Sequence, residues 1–283
     1  KYTVAVCNYN MAETLEESLR SILDQLDEDF EVLVIDDGST DGSQDILDKL
    51  EEEYDILRWI EGENENIVEA RAQANYEARG KYILTQLDTD DWYKSVIQDF
   101  VKIFEKLNNS IENEFFLSSH GLNIAAKSLL AEKVNYRSLG YGEDKDLWMR
   151  LLSKDKLMVL DINQPYESIG YDYGKIDHLK ISYELSEVLF RSGITYSSFL
   201  SFKMKNIDYF DDLFQAIISP LSYINAYRKG VLGVPEDVKD YEYFREELQN
   251  QTLTLSGLEK KYNFEVRSEL SEEGRKILHK EPS

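Results

Sequence analysis

Cysteine is nearly absent from this sequence, because Cys7 is the only one among 283 residues. A single thiol excludes an internal disulfide framework and fits a reducing compartment. Since Cys7 closes the first apolar run, we interpret it as a packed thiol rather than a nucleophile. Apolar runs of about 20 residues, the length that spans a bilayer, are also missing, and no secretory signal peptide is recognisable. We therefore expect a cytoplasmic protein, with the cytoplasmic face of the membrane as an alternative location.

Positive charge is also scarce. The 32 lysines and arginines stand against 55 acidic residues, which gives a net charge of −23. General nucleic-acid binding requires a basic surface, so this composition excludes it. A polyanionic small ligand would have to be bound through a metal ion and a few placed cations. With 42% hydrophobic residues, the chain can nevertheless build a sizeable core.

Apolar strands alternate with amphipathic helices along the first half of the chain. Runs such as Val32–Ile35 and Tyr82–Leu87 predict buried strands, and apolar residues at helical spacing between Leu15 and Leu26 predict a helix. Thr14 and Glu17 have capping-box spacing, so we expect this helix to begin near Thr14. The alternation is typical of βαβ units. We predict an α/β fold with a mostly parallel sheet flanked by helices, and a mainly helical C-terminal extension.

Two groups of carboxylates follow predicted strands. Asp36 and Asp37 come directly after one strand, and the run Asp88-Thr89-Asp90-Asp91 follows another. The carboxyl ends of parallel strands meet at one edge of a sheet, where open α/β sheets bind their ligands. Mg²⁺ and Mn²⁺ usually take one or two carboxylates, together with water and phosphate. Either group alone could be a turn or a helix cap, but their coincidence at one edge favours a metal–diphosphate site.

Several segments together resemble the family 2 inverting glycosyltransferases, which have the GT-A fold. The segments are Val4-Ala5-Val6-Cys7-Asn8-Tyr9-Asn10, the run from Val34 to Ser43, Ala70-Arg71, Gly80-Lys81-Tyr82-Ile83 and Asp88-Thr89-Asp90-Asp91. The resemblance covers roughly the first 160 residues. It implies transfer of a sugar from a nucleotide-diphosphate donor, most simply a UDP-sugar, to a hydroxyl of a glycan or polyprenyl-linked acceptor.

The resemblance also implies where the donor nucleotide binds. Asp36 or Asp37 would contact the base and ribose, with the turn at Tyr9 and Asn10 nearby. The side chain of Arg71 would reach the base or the diphosphate. Asp88 would hold the ribose or a metal-bound water.

A divalent cation, Mn²⁺ or Mg²⁺, is implied in the same way. Asp90 would be its carboxylate ligand. Many enzymes of this fold use a late histidine to complete the metal shell. The segment Asp177-His178 is similar to that part of the family, so we expect His178, ahead of His120, to be this ligand.

The segment from Glu143 to Arg150 carries the resemblance to the acceptor side of the site. It reads Glu-Asp-Lys-Asp-Leu-Trp-Met-Arg and follows two glycines. By resemblance, Asp144 would be the general base that removes the proton of the attacking hydroxyl, a role that contributes about 10²–10⁴-fold in rate. Trp148 and Arg150 are expected to be structural, with the tryptophan in the core and the arginine paired to an acidic neighbour. Without the resemblance, helix capping would explain the acidic pair.

We predict a catalytic domain over residues 1–180 and a helical extension over residues 181–283. Within the extension, the run from Leu213 to Ile224 is notably apolar, and Pro220 is expected to kink or end its helix. Packing on the catalytic domain is the interpretation we favour. A locally basic membrane-surface contact beside a lipid-linked acceptor and an oligomer interface are the alternatives.

Two other functions share some of these features. A sugar nucleotidyltransferase also uses a metal at acidic strand ends, but it typically carries a glycine-rich, basic N-terminal loop that is missing here. A receiver-like signalling domain also gathers aspartates at strand ends. Its acidic pair follows the first strand, whereas here it follows the second, at Asp36-Asp37.

Overall fold

The computed structural model describes residues 1–107, 110–111, 115–139, 142–170, 175–206, 210–234 and 239–280, without the side chains of 175–178 and 210–212. The chain forms two compact units. The first comprises Lys1–Asn135, Leu157–Tyr171 and Gln251–Ser283, and the second comprises Tyr136–Lys156 and Asp172–Asn250. These bounds differ from the division predicted at residue 180. That division concerned catalytic and accessory roles, and it stays a prediction.

The described strands all belong to the first unit. They are β1 (Tyr2–Asn8), β2 (Phe30–Asp36), β3 (Leu57–Glu61), β4 (Tyr82–Leu87), β5 (Asp91–Tyr93), β6 (Phe115–Ser118), β7 (Asn123–Ala126), β8 (Leu157–Leu160), β9 (Tyr166–Ser168) and β10 (Thr252–Leu253). Eight of them form one sheet in the order β10-β8-β6-β7-β4-β1-β2-β3, and β5 pairs with β9 separately. Within the large sheet only β7 runs antiparallel to its neighbours β4 and β6. The predicted α/β fold with a mostly parallel sheet is therefore confirmed.

Helices flank the sheet and make up the regular structure of the second unit. They are α1 (Ala12–Leu23), α2 (Ser43–Glu53), α3 (Ile67–Glu77), α4 (Ile97–Leu107), α5 (Glu143–Leu152), α6 (Lys175–Ser192), α7 (Tyr196–Lys205), α8 (Phe210–Lys229), α9 (Tyr241–Asn250), α10 (Leu255–Tyr262) and α11 (Glu272–Leu278). Helices α5 to α9 lie in the second unit. In the described part of the chain, no helix is both long and apolar enough to cross a bilayer.

Helix α1 shows how the first unit is packed. Its residues Leu15, Leu19 and Ile22 are buried in the core with the strands of the sheet, as their helical spacing predicts. The predicted capping box at Thr14 is wrong, because the helix begins at Ala12. The backbone N–H of Ala12 instead donates to Asp41 Oδ2 at 2.8 Å. A carboxylate from the loop after β2 therefore caps α1, and the two loops at this edge of the sheet are joined.

The C-terminal segment returns to the first unit. Strand β10 adds in parallel to β8 at the edge of the sheet, and Asp99 of α4 holds the start of α11. The buried carboxylate of Asp99 accepts hydrogen bonds from the backbone N–H and the hydroxyl of Ser271. Gly274 lies so close to this carboxylate that a Cβ would not fit. The last helix is thus part of the packing of the first unit.

The second unit is held by a buried ion triad and by helix packing. Asp146 is fully buried between Arg137 and Arg150, with Arg150 Nε donating to Asp146 Oδ2 at 2.8 Å. The structural role predicted for Arg150 is thereby confirmed. Pro220 does not end its helix, since α8 continues to Lys229.

Candidate active site

Asp36, at the end of β2, is fully buried and surrounded by donors. Its carboxylate accepts from Asn8 Nδ2 at 2.6 Å, from the Ser39 hydroxyl at 2.6 Å and backbone N–H at 3.0 Å, and from Gln44 Nε2 at 3.0 Å. Because β1 and β2 pair with Asn8 opposite Asp36, these bonds connect the two strand ends. The carboxylate therefore holds the loop after β2 in place.

The side chain of Asp37 has fewer partners than that of Asp36. Asp37 is half-buried, and its Oδ1 accepts from Asn64 Nδ2 at 2.7 Å, while Asn64 also donates to Gln73 Oε1 at 2.6 Å. Burial raises the pKa of the Asp37 carboxyl, and the hydrogen bond from Asn64 partly offsets the increase. Of the predicted pair, the geometry favours Asp37 as the residue that contacts a ligand.

The turn after β1 is tied to the same loop. Asn10 has a left-handed backbone, with φ of 52°, and its amide oxygen accepts from the Thr40 backbone N–H at 2.9 Å. Its own backbone N–H donates to the Ser39 hydroxyl at 2.8 Å. Tyr9 directly precedes Asn10 in this turn, and its ring is 61% exposed. The turn thus presents an aromatic ring at the edge of the sheet where Asp36 and Asp37 lie.

Strand β4 contains a bulge directly before its acidic cluster. Val4 of β1 pairs with Leu84, but Val6 pairs with Leu87, so β4 has one extra residue there. Gln86 takes up the distortion with φ of 66°, a conformation that bulky residues rarely adopt. Bulges of this kind re-aim the side chains that follow them.

Asn123 of β7 holds the bulge with a fully buried side chain. Its amide Nδ2 donates to the Thr85 carbonyl at 2.6 Å and to Gln86 Oε1 at 3.1 Å. Its Oδ1 accepts from the Thr85 backbone N–H at 3.2 Å. One amide side chain therefore satisfies the backbone groups of Thr85.

The cluster after β4 brings three carboxylates together. One ligand oxygen each from Asp88, Asp90 and Asp91 lies within 4.8 Å of the others, and all three residues are half-buried. The Asp91 carboxylate accepts no hydrogen bond within the described part of the chain. Oxygen-only ligands at this spacing suit a hard divalent cation, which fits the predicted metal site and adds Asp91 to it.

The pKa values of Asp90 and Asp91 also favour a cation at this cluster. Burial, followed by the charges of Asp90 and Asp88, raises the pKa of Asp91 to about 7. Burial and the charge of Asp88 raise the pKa of Asp90 as well. Carboxylates that crowd together in this way disfavour one another's charged forms. A divalent cation would neutralise that charge, so the donor set fits a metal.

Arg71 of α3 is the cation placed beside this cluster. Its Nη2 lies 3.0 Å from Asp88 Oδ1. Cys7 lies among the same groups and is influenced by the charges of Arg71, Asp88 and Asp37. Burial raises the pKa of its thiol to about 12, which favours the protonated form.

The backbone of the cluster is fixed from outside the main sheet. The Tyr93 hydroxyl accepts from the Asp88 backbone N–H at 2.7 Å, and the Ile169 backbone N–H donates to the Asp90 carbonyl at 2.8 Å. Gly170 lies against Asp90 so closely that a Cβ could not be accommodated. The pairing of β5 with β9 therefore sets the position of Asp90.

The predicted base, Asp144, lies in the second unit in the first turn of α5, directly after Gly142 and Glu143. Gly142 has φ of 98°, a conformation that favours glycine. Asp144 Oδ1 accepts from the Lys145 backbone N–H at 2.8 Å, and its Oδ2 accepts from Lys145 Nζ at 2.7 Å. Lys145 Nζ also lies 3.7 Å from the ring centre of Trp148. Trp148 is half-buried rather than part of the core.

The two histidine predictions have different outcomes. His178 falls within α6, but its side chain lies outside the described residues, so its role as a metal ligand stays a prediction. His120 is half-buried and its Nδ1 lies 3.1 Å from the Ser119 hydroxyl.

The open α/β sheet has the GT-A fold, and its acidic side chains lie at the carboxyl ends of β2 and β4 with Arg71 beside them. Residues 3–113 match the model of glycosyl transferase family 2. Over this segment the chain is similar to glycosyl transferase family 2.

Individual relatives agree with this family. The cholesterol galactosyltransferase of Borreliella burgdorferi is 31% identical over 132 residues, 46% of this chain and 37% of its own length. TarS 1–349 from S. aureus, solved in complex with UDP, has 18% sequence identity and a TM-score of 0.53, and the match covers 93% of this chain and 91% of that chain. The mannosyltransferase PcManGT from Pyrobaculum calidifontis, solved with GDP-Man and Mn²⁺, has 17% identity and a TM-score of 0.52, covering 80% and 73%.

The matches cover only part of the curated relatives, and this limits which of their properties can be assigned to this chain. The chain spans between 15% and 48% of the length of the curated relatives it matches. The solved structures are less than 20% identical and show the shared fold. The matches therefore show the fold and a similarity to the family over residues 3–113, and the reaction is argued from the site.

Sequence reasoning missed several residues of the site. Asn123 is a lone asparagine in a short apolar strand, and nothing in the sequence marks its bonds to Thr85 and Gln86. Asp91 was read as part of the acidic run but not as a ligand, although its spacing from Asp90 could have suggested it. Lys145 gave no signal beyond its position next to Asp144.

Proposed function

We propose that this chain is an inverting glycosyltransferase that uses a nucleotide-diphosphate sugar and a divalent cation. The observation that carries the proposal is the convergence of Asp88, Asp90 and Asp91 at the end of β4, with Arg71 3.0 Å from Asp88. A diphosphate bridged to carboxylates by a cation, with an arginine alongside, is a combination that neutralises the charge of both partners.

The donor would lie along the edge formed by β1, β2 and β4. Tyr9 would stack on the base, Asn10 would shape the turn below it, and Asp37, held by Asn64, would accept hydrogen bonds from the nucleotide. Asp36 would support this contact through the loop. UDP is the first nucleotide to test, since the neighbour TarS was solved with UDP and with UDP-GlcNAc.

Asp90 and Asp91, with Asp88 and His178, would hold the cation, Mn²⁺ or Mg²⁺. When bound, the cation would offset the negative charge that grows on the departing diphosphate. Arg71 would bind the diphosphate from its other side and orient it.

Asp144 would take the proton of the acceptor hydroxyl as its oxygen attacks the anomeric carbon. The bond from that carbon to the diphosphate oxygen breaks as the new bond forms on the opposite face, so the configuration is inverted. The Asp144 carboxylate would first have to release Lys145, which occupies both of its oxygens. Lys145 would return when the proton has left.

The acceptor is proposed to be a hydroxyl of a glycan or of a lipid-linked intermediate such as a polyprenyl-linked sugar. The cholesterol galactosyltransferase of Borreliella, by its name, acts on a lipid alcohol. We place the reaction in the cytoplasm, at or near the cytoplasmic face of the membrane.

Two experiments test the proposal. Calorimetric titration of UDP, GDP and CDP, each with and without Mn²⁺, should show one diphosphate that binds tightly only with metal. Failure of every diphosphate to bind would contradict the donor site.

The second experiment compares Asp144→Asn with Asp155→Asn, a matched change at an exposed carboxylate of the same unit. Asp144→Asn should lose transfer to acceptor by about 10²-fold or more while nucleotide binding is kept, and Asp155→Asn should change neither. Equal transfer by the two variants would show that Asp144 is not the base.

A further inference from the structure

Helix α8 exposes its large apolar side chains. Leu213, Ile217, Leu221, Ile224 and Tyr227 are between 41% and 74% exposed. At 3.6 residues per turn, they share one face that spans roughly 120° of the helix. Ordinary surface helices direct such a stripe into the core, so α8 has its apolar face outward.

The opposite face of α8 is small and polar. Ser219 and Ser222 are fully buried and Ala226 is buried with them. The Ser222 hydroxyl donates to the Tyr183 carbonyl of α6 at 3.2 Å, and Asn225 donates to the buried Glu187 of α6. The packing of α8 on α6 thus uses these hydrogen bonds and an edge contact of Tyr223 on Phe190, and it leaves the outward residues without a partner among the described residues of this unit.

Pro220 fits the same arrangement. A proline removes the backbone donor that would pair with the carbonyl four residues earlier, which here belongs to Ala216. The Ser219 hydroxyl donates to that carbonyl at 2.9 Å. The exposed proline therefore continues the outward face without leaving a buried carbonyl unsatisfied.

The charge of this segment differs from that of the rest of the chain. The 22 residues from Leu213 to Val234 contain no aspartate or glutamate, although the chain has 55 of them, and they contain two cations, Arg228 and Lys229. Lys229 pairs with Glu187 at 2.6 Å. Arg228 is exposed, and no carboxylate within the described ranges pairs with it. The outward face is therefore apolar with one unpaired cation.

We propose that the outward face of α8 docks on an anionic bilayer surface, with its aliphatic side chains and Tyr227 in the headgroup boundary and Arg228 against lipid phosphate. Interfacial helices bind by this combination of apolar area and cations. Tyrosine is enriched at the same depth. Because the segment from Leu213 to Val234 has no aspartate or glutamate, this face is not repelled by an anionic bilayer as the acidic remainder of the protein would be.

A second copy of the chain is the less favourable occupant. It would bring two Arg228 side chains to one interface, and the segment from Leu213 to Val234 contains no carboxylate that could pair with either of them. A bilayer that contains anionic lipid instead supplies the counter-charge to Arg228.

The test is sedimentation of the whole protein with phosphatidylcholine vesicles and with vesicles containing one-third phosphatidylglycerol. The wild type should bind the anionic vesicles. The triple variant Ile217→Gln, Leu221→Gln, Ile224→Gln should bind them at least about tenfold more weakly, and Arg228→Gln about fivefold more weakly. Tyr76→Gln removes an equally exposed aromatic side chain from α3 and should bind like the wild type.

Circular dichroism and metal-dependent nucleotide binding check that each variant is folded. Because the vesicle assay contains no sugar donor, its failure would leave the glycosyl-transfer proposal intact. Equal binding of wild type and triple variant, equal binding to both vesicle types, or no binding at all would overturn the proposal. Dimerisation in solution that the triple variant abolishes would assign the face to a second copy and would also overturn it.

Discussion

Two strand ends at the same edge of the sheet carry acidic pairs, and their surroundings differ. At the end of β2, the Asp36 carboxylate accepts four hydrogen bonds and is fully buried. At the end of β4, Asp90 and Asp91 have raised pKa values because burial and neighbouring charge disfavour their ionised forms. The same sequence pattern thus gives a structural anchor at the end of β2 and, at the end of β4, a crowded cluster that we propose as the cation site. Donors from the surrounding fold decide which role results.

The largest effect expected from this difference is on stability. Asp36→Ala leaves the donors of Asn8, Ser39 and Gln44 unpaired in a buried position, which should cost about 3–5 kcal/mol of unfolding free energy. Asp90→Ala should stay within about 1 kcal/mol of the wild type, since it removes a crowded charge. Urea unfolding of both variants without metal measures the contrast. Equal losses would show that the two strand ends do not differ.

Nucleotide binding should respond in the opposite order. Asp90→Asn keeps the shape of the cluster but removes one of its charges, so metal-dependent UDP affinity should fall about 100-fold or more, or about 2.7 kcal/mol. Calorimetry in the presence of Mn²⁺ measures this. Asp45→Asn, in the first turn of α2, is the control and should bind UDP like the wild type. Retention of wild-type affinity by Asp90→Asn would remove this residue from the metal shell.

Asn123 should affect both stability and nucleotide binding, because it holds the bulge that orients the carboxylates after β4. Asn123→Ala leaves the backbone of Thr85 without its partners and should cost about 2 kcal/mol of stability. It should also weaken Mn²⁺-dependent UDP binding, while binding of UDP without metal stays the same. Urea unfolding measures the loss of stability, and calorimetry on the same preparation measures UDP binding with and without Mn²⁺. A loss of stability with unchanged metal dependence would make Asn123 a packing residue only.

Glu31 lies away from the candidate site and, like Asp36, is a carboxylate that accepts several hydrogen bonds. It tests whether such a carboxylate stabilises the fold through its charge. Hydrogen bonds from the Arg79 backbone, Thr3 and Arg58 outweigh the effect of burial and lower the pKa of this carboxyl. A lowered pKa stabilises the fold above the unfolded pKa, near 4.3, and this stabilisation is lost as pH falls through the lowered value. Glu31→Gln should therefore cost about 1 kcal/mol at pH 7, and this cost should shrink as pH falls through the lowered pKa of Glu31.

The pH dependence of unfolding for wild type and Glu31→Gln checks this. A constant difference between the two proteins at all pH values would show that the charge of Glu31 contributes nothing. It would then be its shape and hydrogen bonds that matter.

Strands and helices with clear periodicity could be predicted from the sequence. Tyr82–Leu87 is the strand that its apolar run indicates, and Leu15, Leu19 and Ile22 face the core as their spacing requires. Strand β10 could not be predicted, because two residues carry no period and the segment becomes a strand only by pairing with β8. The start of α1 was missed for a similar reason, since its cap comes from Asp41, 29 residues away along the chain.

The sequence predicted that the two acidic groups meet at one edge of the sheet, and the aspartates after Val32–Ile35 and Tyr82–Leu87 do lie at strand ends of that sheet. The roles that the resemblance gave to these residues stay predictions. Which of them is enclosed by donors depends on Asn8, Ser39 and Gln44, and these contacts exist only in the folded chain. The left-handed Gln86 and its partner Asn123 also belong to the tertiary structure. Local sequence patterns contain neither kind of information.

The most direct test of the proposed cation site is a titration of Mn²⁺ by electron paramagnetic resonance, which reports free Mn²⁺, with UDP present. It compares the wild type with Asp37→Asn and Asp90→Asn, two matched changes after β2 and β4 at the same edge of the sheet. We predict that Asp37→Asn binds one Mn²⁺ with an affinity within a few-fold of the wild type, and that Asp90→Asn loses the site. Loss of Mn²⁺ in Asp37→Asn with retention in Asp90→Asn would contradict the account.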